Sequence, residues 1–208
     1  MTPFTTVTGP AAPLMLDNVD TDVIIRINRL TALRRDELGP YALEALRFAP
    51  DGDEDSTCIL NQPPFRGAPL LLAGRNFGCG SSREGAVWAL GSYGVRCVVA
   101  ESFGDIFFGN CFQNGMLPVV LPRAVLETLA AQAAGGQPIT VDLERCLVVA
   151  PDGREHPFSI DAIKRAGLLD GLDEVTRTLA RRAAIAAWQA RDRSARPWVW
   201  QPVARPAA

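Results

Sequence analysis

Three side chains that can do chemistry stand in a row at Ser81, Ser82 and Arg83, directly after the glycine-rich stretch Gly74-Arg75-Asn76-Phe77-Gly78-Cys79-Gly80. A serine hydroxyl can donate, accept or give up a proton, and arginine presents a planar five-donor fork that matches a carboxylate or phosphate. Gly78 and Gly80 let the backbone approach a ligand with no Cβ in the way, so free loop N–H groups are expected to face it. A helix beginning here adds the positive end of its dipole, which favours an anion. The stretch therefore describes a small anion site carrying a potential base. An ordinary capped helix after a tight turn is the plainer alternative for the same residues.

Two elements must position these groups. The apolar run Pro69-Leu70-Leu71-Leu72-Ala73 leads in as a strand, and Ala86, Trp88, Ala89 and Leu90 follow at helical spacing. Ser81 and Glu84 form an S-x-x-E capping box, which predicts where that helix begins. Near-continuous apolar runs at 95–100 and 117–121 predict further strands buried on both faces, as in a parallel sheet, with a helix over 102–113 between them. A helix over 122–134 opens on a proline, and 139–143, 146–149 and 157–160 predict a small antiparallel addition.

Upstream, residues 4–16 predict an opening strand or two. Asp17-Asn18-Val19-Asp20-Thr21-Asp22 then reads as an acidic turn ahead of a β-branched strand, Val23-Ile24-Ile25. Residues 26–50 scatter Arg26, Arg29, Arg34, Arg35 and Arg47 among leucines, which predicts a short amphipathic helix and a mobile loop with most arginines solvated. Downstream, a helix from 160 is expected to end near Gly167 and a long one to run over 173–191, with Trp198 and Trp200 in a proline-flanked tail. The division expected is one domain at 1–170 and a C-terminal helix and tail at 171–208.

The 208 residues are 48% hydrophobic and 21% charged, a soluble globular balance. A net charge of −2 with no basic stripe argues against nucleic acid. No apolar run reaches the roughly 20 residues of a membrane span, and Met1-Thr2-Pro3-Phe4 lacks the features of a signal peptide, so a cytoplasmic protein is expected. Five scattered cysteines without a C-x-x-C pair, and the single His156, predict no metal site within this chain.

The pattern Gly78-Cys79-Gly80-Ser81-Ser82-Arg83-Glu84-Gly85-Ala86 resembles the G-x-G-S-S-R-E-H-A signature of the aconitase superfamily swivelling domain. Asn18-Val19-Asp20-Thr21-Asp22, the run from Ser102 to Val119 and Gly171-Leu172-Asp173 extend the likeness to the small subunits of bacterial 3-isopropylmalate dehydratase. The resemblance implies an α/β swivelling β/β/α-type fold: a central, largely parallel sheet, a small antiparallel addition and a C-terminal helical extension. It implies a hydro-lyase of leucine biosynthesis that interconverts 2- and 3-isopropylmalate. Ser81 would be the base, and Ser82 and Arg83 would bind a substrate carboxylate. Asn76, Gly78 and Gly80 would support the loop, and Asp20 and Asp22 would sit at the rim.

The same resemblance places a 4Fe–4S cluster on a separate large subunit, makes a heterodimer the basic assembly with room for a higher one, and makes the substrate a small hydroxy-diacid. Three positions depart from the pattern: Arg26 stands where the family has proline, Asp170 where it has asparagine, and Gly85 where it has histidine. Glycine there costs about 1 kcal/mol of helix propensity relative to alanine. These departures leave open a related hydro-lyase for another alkylmalate or hydroxy-diacid, or a non-catalytic regulatory subunit that keeps the fold. A nucleotide-binding loop is disfavoured, because arginine occupies the third glycine of G-x-G-x-x-G.

Overall fold

The computed structural model describes residues 1–80 and 83–201. The chain divides into two units, Met1–Asp173 and Glu174–Ala208. The first contains a seven-stranded sheet, with β1 at Thr6–Pro13, β2 at Leu70–Ala73, β3 at Cys97–Ala100, β4 at Leu117–Val120, β5 at Pro138–Asp142, β6 at Leu147–Val149 and β7 at Glu155–Pro157. Their order is β4-β3-β2-β1-β5-β6-β7. Strands β1 to β4 pair in parallel, whereas β5 runs antiparallel to the other edge of β1 and is followed by β6 and β7. A parallel sheet with an antiparallel addition is the architecture the sequence predicts.

The uniformly apolar strands serve two cores at once, because successive side chains point to opposite faces. Leu71, Ala73, Val98 and Ala100 face one core, and Leu70, Leu72, Cys97 and Val99 face the other. All eight are fully buried, worth about 1.5–3 kcal/mol for each larger aliphatic side chain. On the first face lie α1 (Thr21–Ile24), α4 (Glu84–Tyr93) and much of α5 (Asp105–Gln113). The second face packs against α6 (Arg123–Ala133) and α7 (Ala162–Asp170).

Between β1 and β2 the chain forms α1, α2 (Ile27–Ala32), two 3-10 turns, α3 (Glu44–Arg47) and a third 3-10 turn at Ile59–Asn61. The β-branched Val23-Ile24-Ile25 is thus no strand. Asp20 Oδ1 accepts from the Val23 N–H at 2.8 Å and turns the run into a capped helical turn. Nor is 33–50 a free-standing loop, since Leu38, Ala42 and Leu43 are buried in the core. Arg47 also departs from expectation. It is 5% exposed, donates to the carbonyls of Pro40 and Ala42 at 3.1 Å, and lies over the Tyr93 ring.

Helix α7 runs through Gly167, which is buried, and stops instead at Gly171 in the left-handed conformation, φ 67°. In the second unit the expected single helix is two, α8 (Glu174–Leu179) and α9 (Arg182–Ala195). Propensity does not account for the break, because Ala180 and Arg181 are strong helix formers. A 3-10 turn at Pro197–Trp200 follows, with Trp200 Nε1 donating to Asp192 at 2.9 Å.

Candidate functional site

Beyond their C-terminal ends the three central parallel strands continue as an irregular ladder. Gly74 N–H donates to Leu16 O at 3.0 Å, Asn18 N–H to Arg75 O at 2.8 Å, Gly78 N–H to Val19 O at 2.7 Å, and Thr21 N–H to Cys79 O at 3.0 Å. On the other flank Phe77 N–H donates to Ser102 O at 3.0 Å, and Gly104 N–H to Phe77 O at 2.9 Å. The segment 74–79 is therefore sandwiched between 16–21 and 101–104. This crevice, outside the carboxyl ends of parallel strands, is where open α/β sheets bind ligands.

Close packing explains the glycines. Gly78 has φ 72°, and a Cβ there would collide with the Phe107 ring. Gly80 has φ 83° and passes Asp20, whose Cβ would lie 3.2 Å from a Cβ added at Gly80. The Gly78 N–H, expected to face a ligand, is spent on Val19 instead. Asn76, at φ 58°, is held by its N–H to Ser102 Oγ and by its side chain to Asn18 Oδ1, both at 2.9 Å. Behind the loop, Asp17 Oδ1 accepts from Arg75 N–H at 2.8 Å and from Arg123 Nη1 at 2.9 Å. The hydrogen bond from Arg75 outweighs desolvation, and together with Arg123 it holds the Asp17 carboxyl below its ordinary range.

Ser81 and Ser82 lie outside the described residues. Arg83 is the N-cap residue of α4, with no side-chain capping bond, so the helix starts at Glu84 rather than where the capping box places it. The Glu84 carboxylate turns sideways and accepts from Asn114 Nδ2 at 2.8 Å. Arg83 Nη1 pairs with Asp22 Oδ1, the arginine side chain being 23% exposed and the aspartate 53%. Of the two rim acids, Asp22 meets the arginine while Asp20 caps α1. A cleft of about 350 Å³ opens beside them, lined by Thr21, Asn76, Gly78, Cys79, Gly80 and the start of α5. Larger clefts, of about 510 and 650 Å³, lie along α4 and between α2 and α3.

Gly85 has a packing role in this structure. A Cβ built there would stand 2.5 Å from Leu30 Cδ2, so α2 rests on the notch that glycine leaves in α4. Ser102, Asn18, Asp17 and Asn114 hold the site; Asn18, Ser102 and Asn114 fall within the family-like segments, but the sequence assigns no role to any of the four. Burial pushes the Cys97 and Cys111 thiols far up, which disfavours the thiolate a metal needs. Among the described residues, no three His, Cys, Asp or Glu side chains converge.

The parallel sheet edged by antiparallel strands, with a glycine loop and an arginine over its strand ends, belongs to the class of aconitase C-terminal domains, as the family match over residues 1–124 shows. The family model for the aconitase C-terminal domain matches residues 1–124, and a second, LeuD_N, matches 127–162. The 3-isopropylmalate dehydratase small subunit of Paracoccus denitrificans is 46% identical, covering 96% of this chain and 100% of that protein. The Rhodospirillum centenum protein of the same name is 48% identical, covering 95% and 98%. A solved structure of 3-isopropylmalate dehydratase (leuD) from Methanocaldococcus jannaschii superposes with a TM-score of 0.63 at 25% identity, covering 88% of this chain and 99% of that one. The chain belongs to the family of 3-isopropylmalate dehydratase small subunits.

Proposed function

We infer that this chain is the small subunit of a 3-isopropylmalate dehydratase, a hydro-lyase of leucine biosynthesis. It acts with a large subunit that holds the 4Fe–4S cluster, in the cytoplasm, on 2- and 3-isopropylmalate. The observation that carries the reading is Arg83. Its guanidinium stands at the start of α4 beside the glycine loop, oriented by Asp22 through one nitrogen. The rest of the fork is suited to a carboxylate, and Ser82 assists it.

Moving a hydroxyl between adjacent carbons requires a proton to leave the carbon next to a carboxylate. We assign that proton to Ser81. An alcohol is too weakly acidic for the task unless its alkoxide is stabilised. The positive end of α4 and the neighbouring Arg83 are the stabilising groups this chain offers, because the Gly78 amide is already bonded. Asn76 and the two glycines keep the loop in the shape that presents the serine.

The test is anaerobic turnover of 2-isopropylmalate by this chain mixed with a cluster-loaded large subunit, each alone as control, and other hydroxy-diacids in parallel. Activity only in the mixture, with Ser81→Ala lowering kcat by at least about a hundredfold while the complex still forms, is the expected result. Turnover of another diacid in place of isopropylmalate would correct the substrate. A complex that binds but turns over nothing would make the chain a regulatory subunit.

A further inference from the structure

Arg83, the N-cap residue of α4, makes no side-chain cap bond, and the first turn of the helix is held from its flank. Asn114, the C-cap residue of α5, does the holding. Its Nδ2 donates to Glu84 Oε1 at 2.8 Å and to Asn110 O at 2.9 Å. Its Oδ1 accepts from Trp88 Nε1 at 3.0 Å and from Arg35 Nη2 at 2.8 Å. A carboxamide has two N–H donors and two acceptor lone pairs, so every hydrogen-bonding position of this side chain is filled. The partners also fix its orientation: flipped, the amide would turn its oxygen on the Glu84 carboxylate and its N–H groups on two donors.

Through this one amide three pieces of chain are tied: the end of α5, the first two turns of α4 at Glu84 and Trp88, and the 3-10 turn at Arg35–Glu37. Glu84 and Trp88 stand four residues apart, on one face of α4, so two bonds to one side chain fix the helix in rotation as well as position. Arg83 is bonded in sequence to the residue so fixed. Arg35 is further held by stacking over the Trp88 ring, 5.3 Å from its centroid.

We propose that Asn114 is a positioning residue for the carboxylate-binding Arg83, acting through Glu84, and that it couples the segment carrying Arg35 to the anion site. The proposal rests on the function inferred above. A hydrogen bond to an ionised group is among the stronger ones, and displacement of a substrate-binding group by about 1 Å can cost a hundredfold. The effect belongs in KM, because Asn114 meets no reacting atom.

The experiment uses the full chain with its large subunit. Asn114→Asp keeps the shape and the acceptors for Arg35 and Trp88, but loses the donor and sets a carboxylate against Glu84. Adding Glu84→Gln supplies the missing N–H from the other side. Expected are a rise of about tenfold in KM for 2-isopropylmalate in the single variant, with kcat within about threefold, and a return to within about twofold in the double.

Amide exchange across residues 84–88 of the isolated chain should rise in the single variant and recover in the double. An unchanged KM in the single variant, or a double no better than it, overturns the proposal. If the single variant does not fold, recovery in the double decides the question. If the wild-type pair shows no turnover, the inferred function fails, and the exchange pattern alone then decides whether Asn114 holds the helix.

Discussion

Arg83 and Asp22 form an ion pair in which each partner has a separate use for the contact. The aspartate is about half exposed, and exposed pairs of this kind contribute only about 0–1 kcal/mol to stability. Its value is directional, since a guanidinium anchored by one nitrogen presents the rest of its fork at a fixed angle. Asp22→Asn is therefore expected to leave the melting temperature within about 2 °C of wild type. It should raise KM for the diacid about five- to tenfold, with little change in kcat. Calorimetry and steady-state kinetics on the same preparation check this, and a large loss of stability would make the pair structural.

Asp17 acts on the loop from behind, and its contribution has a sign that follows from its pKa. The Arg75 N–H and the Arg123 side chain lower the folded-state pKa below the unfolded value of about 3.9. The ionised form is thus the one that folding favours. Its stabilisation is fully present above about pH 5 and is lost as pH falls through the depressed folded pKa. In urea unfolding the wild type should exceed Asp17→Asn at pH 6–7, and the gap should close in acid. The Arg75 amide resonance should titrate in the wild type below the ordinary carboxylate range.

At the scale of elements, the strand-loop-helix unit around the signature was legible because its cues are local. Four buried residues of β2 read as an apolar run, and positive-φ backbone at Gly78 and Gly80 answers to glycine's freedom. What lies against the unit was not legible. Val23-Ile24-Ile25 has strand composition, but the Asp20 cap draws Val23 and Ile24 into a helical turn that Ile25 closes. The helix begins at Glu84, later than the capping box predicts, and the Glu84 carboxylate meets a tertiary partner in Asn114.

Gly85 shows the same effect in packing, since sequence prices it as a weak helix position while in the structure Leu30 occupies the space. Gly85→His should drive Leu30 out, lower stability by about 1–3 kcal/mol and raise KM by loosening α2. Leu30→Ala in the same chain should recover part of the stability. Thermal unfolding of the two variants decides it, and an unaffected single variant would show that α2 does not depend on the notch.

For the whole molecule, the two units differ in how they are stabilised. Met1–Asp173 carries both hydrophobic cores, whereas α8, α9 and the turn at Pro197–Trp200 contain no buried residue. We propose that the first unit folds on its own. A chain ended after Asp173 should keep its circular dichroism and melt within a few degrees of the full chain, as calorimetry can establish. A fall of more than about 10 °C would show that the C-terminal unit supports the cores.

The sequence by itself determined the local patterns and the punctuation: continuous apolar runs for the parallel strands, glycines where φ is positive, and a serine–arginine cluster whose chemistry suits an anion. Those properties reside in single residues and their near neighbours. Tertiary structure decided which atoms meet. It joined 16–21 to 74–79 and 101–104 as one ladder, gave Asp22 rather than Asp20 to Arg83, spent the Gly78 amide on Val19, and brought Asn114 to Glu84 across 30 positions of chain. Such contacts depend on how two cores pack on opposite faces of one sheet, and no local pattern encodes that.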